Sequence, residues 1–142
     1  MTMYMKSITD YLTSIRQSEA FISLDVLEAI AYQNQEKNTW VEISNPEFTS
    51  LCPRTGLPDF GTITIKYLPD QRIVELKSLK YYLLQYRNTG IYYETLTQRI
   101  LNHLVEVLEP FEMIVEASFN SRGGLSSKVT STYQKEDNHH VP

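Results

Sequence analysis

Apolar and polar positions alternate with two different periods along the chain, and the order of those periods predicts the fold. Met5, Ile8, Leu12 and Ile15 recur at helical spacing, which predicts a short amphipathic helix. Phe21, Ile22, Leu24, Val26, Leu27 and Ile30 follow as an apolar group expected to wrap the domain or to join a subunit contact. Tyr32 to Asn38 is polar and aperiodic, so it reads as a loop. Trp40 to Ile43 alternates as a strand closed by Asn45-Pro46, and Gly61 to Leu68 alternates as a second, with Ile63, Ile65 and Tyr67 on one face. Pro69-Asp70 turns the chain, and Arg72 to Glu75 is a short extended segment leading into a helix. Leu76, Leu79, Leu83 and Tyr86 mark the inner face of that helix, which ends near Arg87-Asn88 and is broken by Thr89-Gly90. Tyr93, Leu96, Ile100, Leu104, Val107 and Leu108 share one face of a second helix that Pro110 stops. His103 falls on the same face, where a structural role is expected. Phe111 to Phe119 is a third strand, with Met113, Val115 and Ala117 on one side. Ser121 to Gly124 turns the chain, and Leu125 to Tyr133 is a fourth strand rich in Ser and Thr.

Two strand pairs around a helix pair imply an α+β fold, an antiparallel four-stranded sheet with both helices on one face. The open edges of such a sheet need a partner, a cover or a blunting device, and oligomerisation would supply one. The chain divides into a partly helical extension over 1–30, a domain over 31–133 and a polar tail over 134–142 expected to be disordered.

Length and composition narrow the function classes. The 142 residues suffice for one domain with a real core, and ten tyrosines fit a globular protein. A net charge of −4 gives no general attraction to nucleic acid. No apolar run approaches the roughly 20 residues that cross a bilayer, and the N-terminus carries no secretory pattern, so neither membrane nor export is expected. A single cysteine permits no internal disulfide and fits a reducing cytoplasm.

That cysteine sits in Phe48-Thr-Ser-Leu-Cys52-Pro-Arg-Thr-Gly-Leu-Pro-Asp59-Phe60. Pro53 and Pro58 stiffen the run, and Gly56 permits a tight reversal. Two readings stay open on these residues alone. Cys52 is a small packing residue beside an ordinary turn, or the loop brings a thiol and the Asp59 carboxylate together for nucleophilic catalysis with proton transfer.

The run from Pro46 to Phe60 resembles the nucleophile loop of the 7-cyano-7-deazaguanine reductases, NADPH-dependent nitrile reductases of queuosine biosynthesis. Three further segments are similar and in order: Glu75-Leu-Lys-Ser-Leu-Lys-Tyr81, Tyr86-Arg-Asn-Thr-Gly-Ile-Tyr-Tyr-Glu94, and Phe119-Asn-Ser-Arg-Gly-Gly124. The resemblance implies a T-fold (tunnelling fold) whose subunits assemble into barrels, with active sites between neighbours in a homo-oligomer.

It also implies roles. Cys52 attacks the nitrile carbon to give a covalent thioimide, and Asp59, beside Phe60 in an apolar pocket, protonates the nitrogen. Glu94 reads the guanine-like edge of a small deazapurine substrate, with Tyr93 and the backbone of Val74, Glu75 and Leu76 lining the same pocket. Lys77, Lys80 and Arg122 hold the phosphates of NADPH, and two hydride transfers yield the primary amine. No metal is implied, and His139-His140 form no metal site. This chain departs from the family in carrying Tyr93 where histidine is common, which replaces an acid of near-neutral pKa by one near 10. Two other readings are weighed: a T-fold enzyme that forms an amidine on the nitrile base within tRNA, and a non-catalytic purine-binding module. The Glu75-to-Lys80 signature and the negative charge point away from the first, and only a covalent adduct separates the second.

Overall fold

A computed structural model describes residues 21–136. The predicted helix over Met5 to Ile15, residues 137–142 and the His139-His140 pair lie outside the described residues. In chain order the elements are β1 (Ala29–Ala31), β2 (Val41–Leu51), β3 (Pro58–Leu68), β4 (Arg72–Val74), α1 (Leu76–Leu84), α2 (Tyr93–Leu108), β5 (Glu112–Arg122) and β6 (Leu125–Gln134). A 3-10 turn, Gln85–Asn88, prolongs α1. Antiparallel strands run β2-β3-β5-β6, and β1 pairs with β4 in a separate ribbon.

The core is the layer between one sheet face and the helices. Ile63, Ile65 and Tyr67 of β3 and Met113, Val115 and Ala117 of β5 are buried on that face, as alternation requires. Leu96, Ile100, Leu104 and Leu108 of α2 and Leu79 and Leu83 of α1 close over them. Leu76 departs from the predicted stripe. It is 62% exposed, as the first residue of α1 lining an open groove.

Two bulges carry the chain past what alternation alone predicts. The strand expected to stop at Asn45-Pro46 continues to Leu51. Between Asn45↔Ile63 and Phe48↔Gly61, β2 takes three steps against two in β3. The extra residue absorbs Pro46 on an edge strand, where a missing N–H is tolerated. It also exchanges the faces of the strand: Asn45 and the odd positions before it point inward, then Phe48 and Ser50 do. In β5 the same device lies between Phe119↔Ser127 and Arg122↔Leu125. The β5–β6 turn is Gly123-Gly124, with φ of +57° and +83°, the left-handed pair that a two-residue hairpin demands.

Both ends of the domain are tied down. Residues 21–28 run across α1, where Ser23 and Gln85 exchange hydrogen bonds of 2.8 and 2.9 Å, and the Glu28 N–H donates to the Ser78 hydroxyl at 2.9 Å. At the other end β6 reaches Gln134, and Lys135 donates from its backbone to Phe111 and from Nζ to Asp70. Ordered structure therefore extends beyond the expected start of the tail.

Glu75 caps α1, its carboxylate accepting from the N–H groups of Lys77 at 2.9 Å and Ser78 at 2.6 Å. Ser78's N–H, with that of Lys77, holds the Glu75 carboxyl below the usual carboxylate range. α2 ends with Glu109 in the left-handed region ahead of Pro110.

Gly61 is required by space rather than by φ. A Cβ there would lie 2.5 Å from the Ser118 carbonyl and 3.0 Å from the Phe119 ring. Gly61→Ala should destabilise the domain by about 1–3 kcal/mol through overpacking. A lower denaturant midpoint with an unchanged m value is the expected result.

Within the core, Tyr82 Oη lies 2.8 Å from Tyr86 Oη and 2.7 Å from His103 Nδ1. A chain in which Tyr86 donates to Tyr82 and Tyr82 to His103 uses each proton once and requires an unprotonated imidazole nitrogen. Burial, with Arg99 adding to it, lowers the pKa of His103. The unfolded chain therefore takes up this proton first as pH falls. Stability from this residue is full above the unfolded value of about 6.5 and is lost on acidification below it. The melting temperature should fall from pH 7.5 to 5, and His103→Gln should show a smaller slope.

Candidate active site

The site is built where β2 ends. Leu51 pairs with Pro58 as the last rung of the β2–β3 ladder. The Cys52–Leu57 loop is closed by the Cys52 N–H donating to the Leu57 carbonyl at 2.8 Å and the Gly56 N–H donating to the Cys52 carbonyl at 2.9 Å. Gly56 takes φ +73°, which explains its place in that reversal. Leu51 is also stitched to the segment before α2: its N–H donates to Thr89 at 3.0 Å, and its carbonyl accepts from Ile91 at 3.1 Å. The start of α2 is thereby held beside the cysteine loop.

Asp59 is the second residue of β3, two positions past the closed Cys52–Leu57 loop rather than within it. It continues the inward stripe of Gly61, Ile63 and Ile65 and is 4% exposed. The apolar pocket expected from Phe60 is not formed, because alternation puts Phe60 on the opposite face, 54% exposed. The neighbours are polar instead. Arg122 ion-pairs with the Asp59 carboxylate, and the Tyr93 hydroxyl is hydrogen-bonded to it. The β5 bulge restores Arg122 to the Asp59 side of the sheet.

Arg122 was expected to hold NADPH phosphates together with Lys77 and Lys80. Its guanidinium is engaged with Asp59 and also bonds Tyr93 and Cys52. Burial raises the pKa of Tyr93, Asp59 raises it further and Arg122 opposes, so the phenol keeps its proton at neutral pH. Its ring stacks on Phe119, centroids 3.6 Å apart and planes at 7°. Phe119 lies over the space left by Gly61 and meets Phe48 edge-on at 6.3 Å.

Cys52 is partly buried and free. Burial raises its pKa, but hydrogen bonds from the Thr55 hydroxyl and from the Thr55 and Arg54 backbones outweigh it and Asp59's charge, leaving the thiol below its ordinary value. A larger thiolate fraction at neutral pH follows.

The remaining expected residues fall elsewhere. Glu94 is exposed in the first turn of α2 and lines a shallow depression with Thr95, Gln98, Arg99, Asn102 and His103, which includes none of the Cys52 cluster. The Val74 N–H donates to Tyr67 Oη at 3.0 Å and the Glu75 N–H to Glu28 at 2.9 Å, so both are already committed. Leu76 and Lys80 line a groove of about 680 Å³ between β2 and α1, floored by Phe48, Leu79 and Leu83 and bordered by Arg87. Lys77 is exposed one turn-face away on α1. No helix among the described residues is long and apolar enough to cross a membrane.

The sequence model of the QueF-like protein family matches residues 58–138, more than half of the chain. The chain belongs to the QueF-like protein family. It is 51% identical over 111 residues to a protein of Chlorobaculum tepidum named NADPH-dependent 7-cyano-7-deazaguanine reductase, covering 78% of this chain and 95% of that one. A Caldicellulosiruptor bescii protein of the same name is 55% identical over 114 residues, covering 80% of this chain and 87% of the relative. Among solved structures, the apo form of the archaeosine synthase QueF-Like superposes with a TM-score of 0.63 at 18% identity, over 69% of this chain and 96% of that one. That likeness shows the fold, an α+β T-fold.

For this QueF-like chain, periodicity could not find Thr55, Phe119 or Arg87. Thr55 lay inside the quoted loop, where spacing gives no sign that it lowers the pKa of Cys52. Ser50 is a different case: its hydroxyl is sealed on the Asp59 side of the sheet with no hydrogen-bond partner among the described residues.

The Asp59–Arg122 pair yields a stability prediction. Arg122→Met should destabilise by about 1–2 kcal/mol, below the roughly 3–5 of a fully buried pair because the guanidinium is half exposed. With Asp59→Asn already present, the same replacement should lose most of that effect in denaturant unfolding. Equal losses in both backgrounds would show that the pair carries no coupling.

Proposed function

We propose that this protein reduces the nitrile 7-cyano-7-deazaguanine to the primary amine 7-aminomethyl-7-deazaguanine with NADPH, as a step of queuosine biosynthesis. The observation that carries this reading is the convergence of Cys52, Asp59, Tyr93 and Arg122 in one protomer of a chain half-identical to proteins bearing that name.

A nitrile carbon is a weak electrophile, and a thiolate that adds and later departs divides its reduction into easier steps. Sulfur addition leaves charge on the nitrile nitrogen, which needs a proton, while the Cys52 thiol has one to lose. Asp59 is placed to carry it: the carboxylate accepts from Cys52 and donates to nitrogen, giving a neutral thioimide. Arg122 and Tyr93 hold the carboxylate in position throughout, and the Tyr93 phenol remains a donor. This arrangement gives the tyrosine a task in place of the family's usual histidine.

The groove between β2 and α1 has the composition a dinucleotide needs, an apolar floor with cations at its border. Lys80 and Arg87, with Lys77 beside them, would hold phosphates there, while Arg122 serves Asp59. Each NADPH, when bound, would supply one hydride, so reduction to the amine would take two cofactor molecules in turn.

Glu94 would accept from the exocyclic amine and adjacent ring N–H of the base. Its position outside the Cys52 cluster supports a homo-oligomer in which Glu94 of one copy completes the site of its neighbour, joined through the open edges of β2 and β6. The net negative charge supports a free base as substrate rather than tRNA.

Two NADPH should be oxidised for each nitrile consumed, with none oxidised by Cys52→Ala. A ratio near one, or nitrile loss without cofactor oxidation, would overturn this function. Conversion of nitrile-containing tRNA with ammonium in the absence of NADPH would replace it with amidine formation.

A further inference from the structure

We propose that Ser50 is a positioning residue for Asp59, its buried hydroxyl serving as the acceptor for the carboxyl group once that group carries a proton. The inference rests on the reading of Asp59 as proton carrier and names a residue that this reading does not itself require.

Strand register sets the two side chains side by side. Ser50 is the direct cross-strand partner of Asp59 in the β2–β3 ladder, and both are buried on the inward face. The β2 bulge is responsible, since without its extra residue Ser50 would face outward. Opposed side chains of an antiparallel pair stand about 4.5–5.5 Å apart at Cβ, close enough for a hydroxyl to reach a carboxyl group after rotation about χ1. Yet Ser50 Oγ is the one buried side-chain oxygen or nitrogen among the described residues that has no hydrogen-bond partner. A sealed, unpaired hydroxyl is costly, and its resting contacts give it no role.

The protonation state of Asp59 supplies one. As a carboxylate it is an acceptor only, and Arg122, a donor only, binds it through Oδ1. When Asp59 takes the Cys52 proton on Oδ2 it becomes a donor as well, and a guanidinium has no lone pair to receive that O–H. The Ser50 oxygen has both lone pairs unspent and faces the carboxyl group from the adjacent strand. A bond to it anchors the protonated oxygen, while Arg122 keeps the other, until the proton passes to the nitrile nitrogen. Ser50 retains its own proton throughout. Tyr93 is the competing acceptor, since its phenol is also hydrogen-bonded to Asp59. A phenol oxygen shares a lone pair with its ring and accepts more weakly than an aliphatic hydroxyl.

The test uses asparagine as a stand-in for the protonated acid, neutral and of the same shape, with an N–H where the acid has its O–H. Urea unfolding is compared for the full-length wild type, Ser50→Ala, Asp59→Asn and the double variant, without nitrile or NADPH. Ser50→Ala should leave the wild-type midpoint unchanged or raise it, because it removes a hydroxyl that has no partner. In the Asp59→Asn background the same change should raise the unfolding equilibrium constant about fivefold, as expected for one lost neutral hydrogen bond. Equal losses in both backgrounds would overturn the proposal, since the hydroxyl would then be bonded at rest. No loss in either would also overturn it and assign the acid's proton to Tyr93. Should Asp59→Asn not fold with Arg122 unpaired, the comparison is made on Asp59→Asn combined with Arg122→Met. With saturating 7-cyano-7-deazaguanine, Ser50→Ala should form the Cys52 adduct about fivefold more slowly than wild type. A wild-type rate would overturn the positioning role. Unfolding needs neither substrate nor cofactor, so a failed coupling leaves the reductase function standing. A wild type that forms no adduct would remove that function and leave the coupling of Ser50 to position 59 intact.

Discussion

A carboxylate at an inward position of a central strand is the constraint from which the site follows. Asp59 continues a stripe that is otherwise Gly61, Ile63, Ile65 and Tyr67, and it is nearly sealed from solvent. An ionised group there must be paired or the fold loses several kcal/mol. Each feature nearby supplies a partner or a route to one. The β5 bulge delivers Arg122, the bonds from Leu51 to Thr89 and Ile91 deliver the first turn of α2 with Tyr93, and the closed loop delivers Cys52. Gly61 leaves room for Phe119, and Phe119 supports the Tyr93 ring. Packing and chemistry thus share residues, so most changes around Asp59 will affect both.

Much of the fold was legible in the chain because its elements are strongly periodic. The stripe on β3, the alternation of β5 and the apolar face of α2 were all read from spacing and are buried as expected, except that Tyr93 and Val107 of α2 are only half-buried. The exceptions have local causes. Pro46 looked like the end of a strand, yet on an edge with a bulge it is tolerated, and β2 continues to Leu51. The β1–β4 ribbon joins two three-residue segments far apart in sequence, too short to carry a period. Leu76 matched the helical stripe but is the first residue of α1 and faces the open groove beside β2.

The site was legible to a different degree. Cys52, Asp59 and Tyr93 were quoted from motifs, and folding brings them together. Arg122 was expected to share NADPH phosphates with the lysines of α1, and its pairing with Asp59 was not foreseen, because a bulge changes which way a side chain faces without leaving a mark in composition. The expectation of Phe60 as Asp59's neighbour failed on simple alternation, since adjacent residues of a strand face opposite ways. The Cys52 cluster, Glu94 and the cationic groove occupy three separate places on one protomer, which the homo-oligomer proposed above would bring together.

Intact-mass spectrometry of the protein mixed with 7-cyano-7-deazaguanine, without NADPH, tests the central claim most directly. Wild type should gain the mass of one whole nitrile on Cys52, since addition releases no leaving group, and Cys52→Ala should gain none. An unmodified wild-type mass at saturating ligand, with the base bound equally by both forms, would contradict the account and leave a binding protein in place of an enzyme.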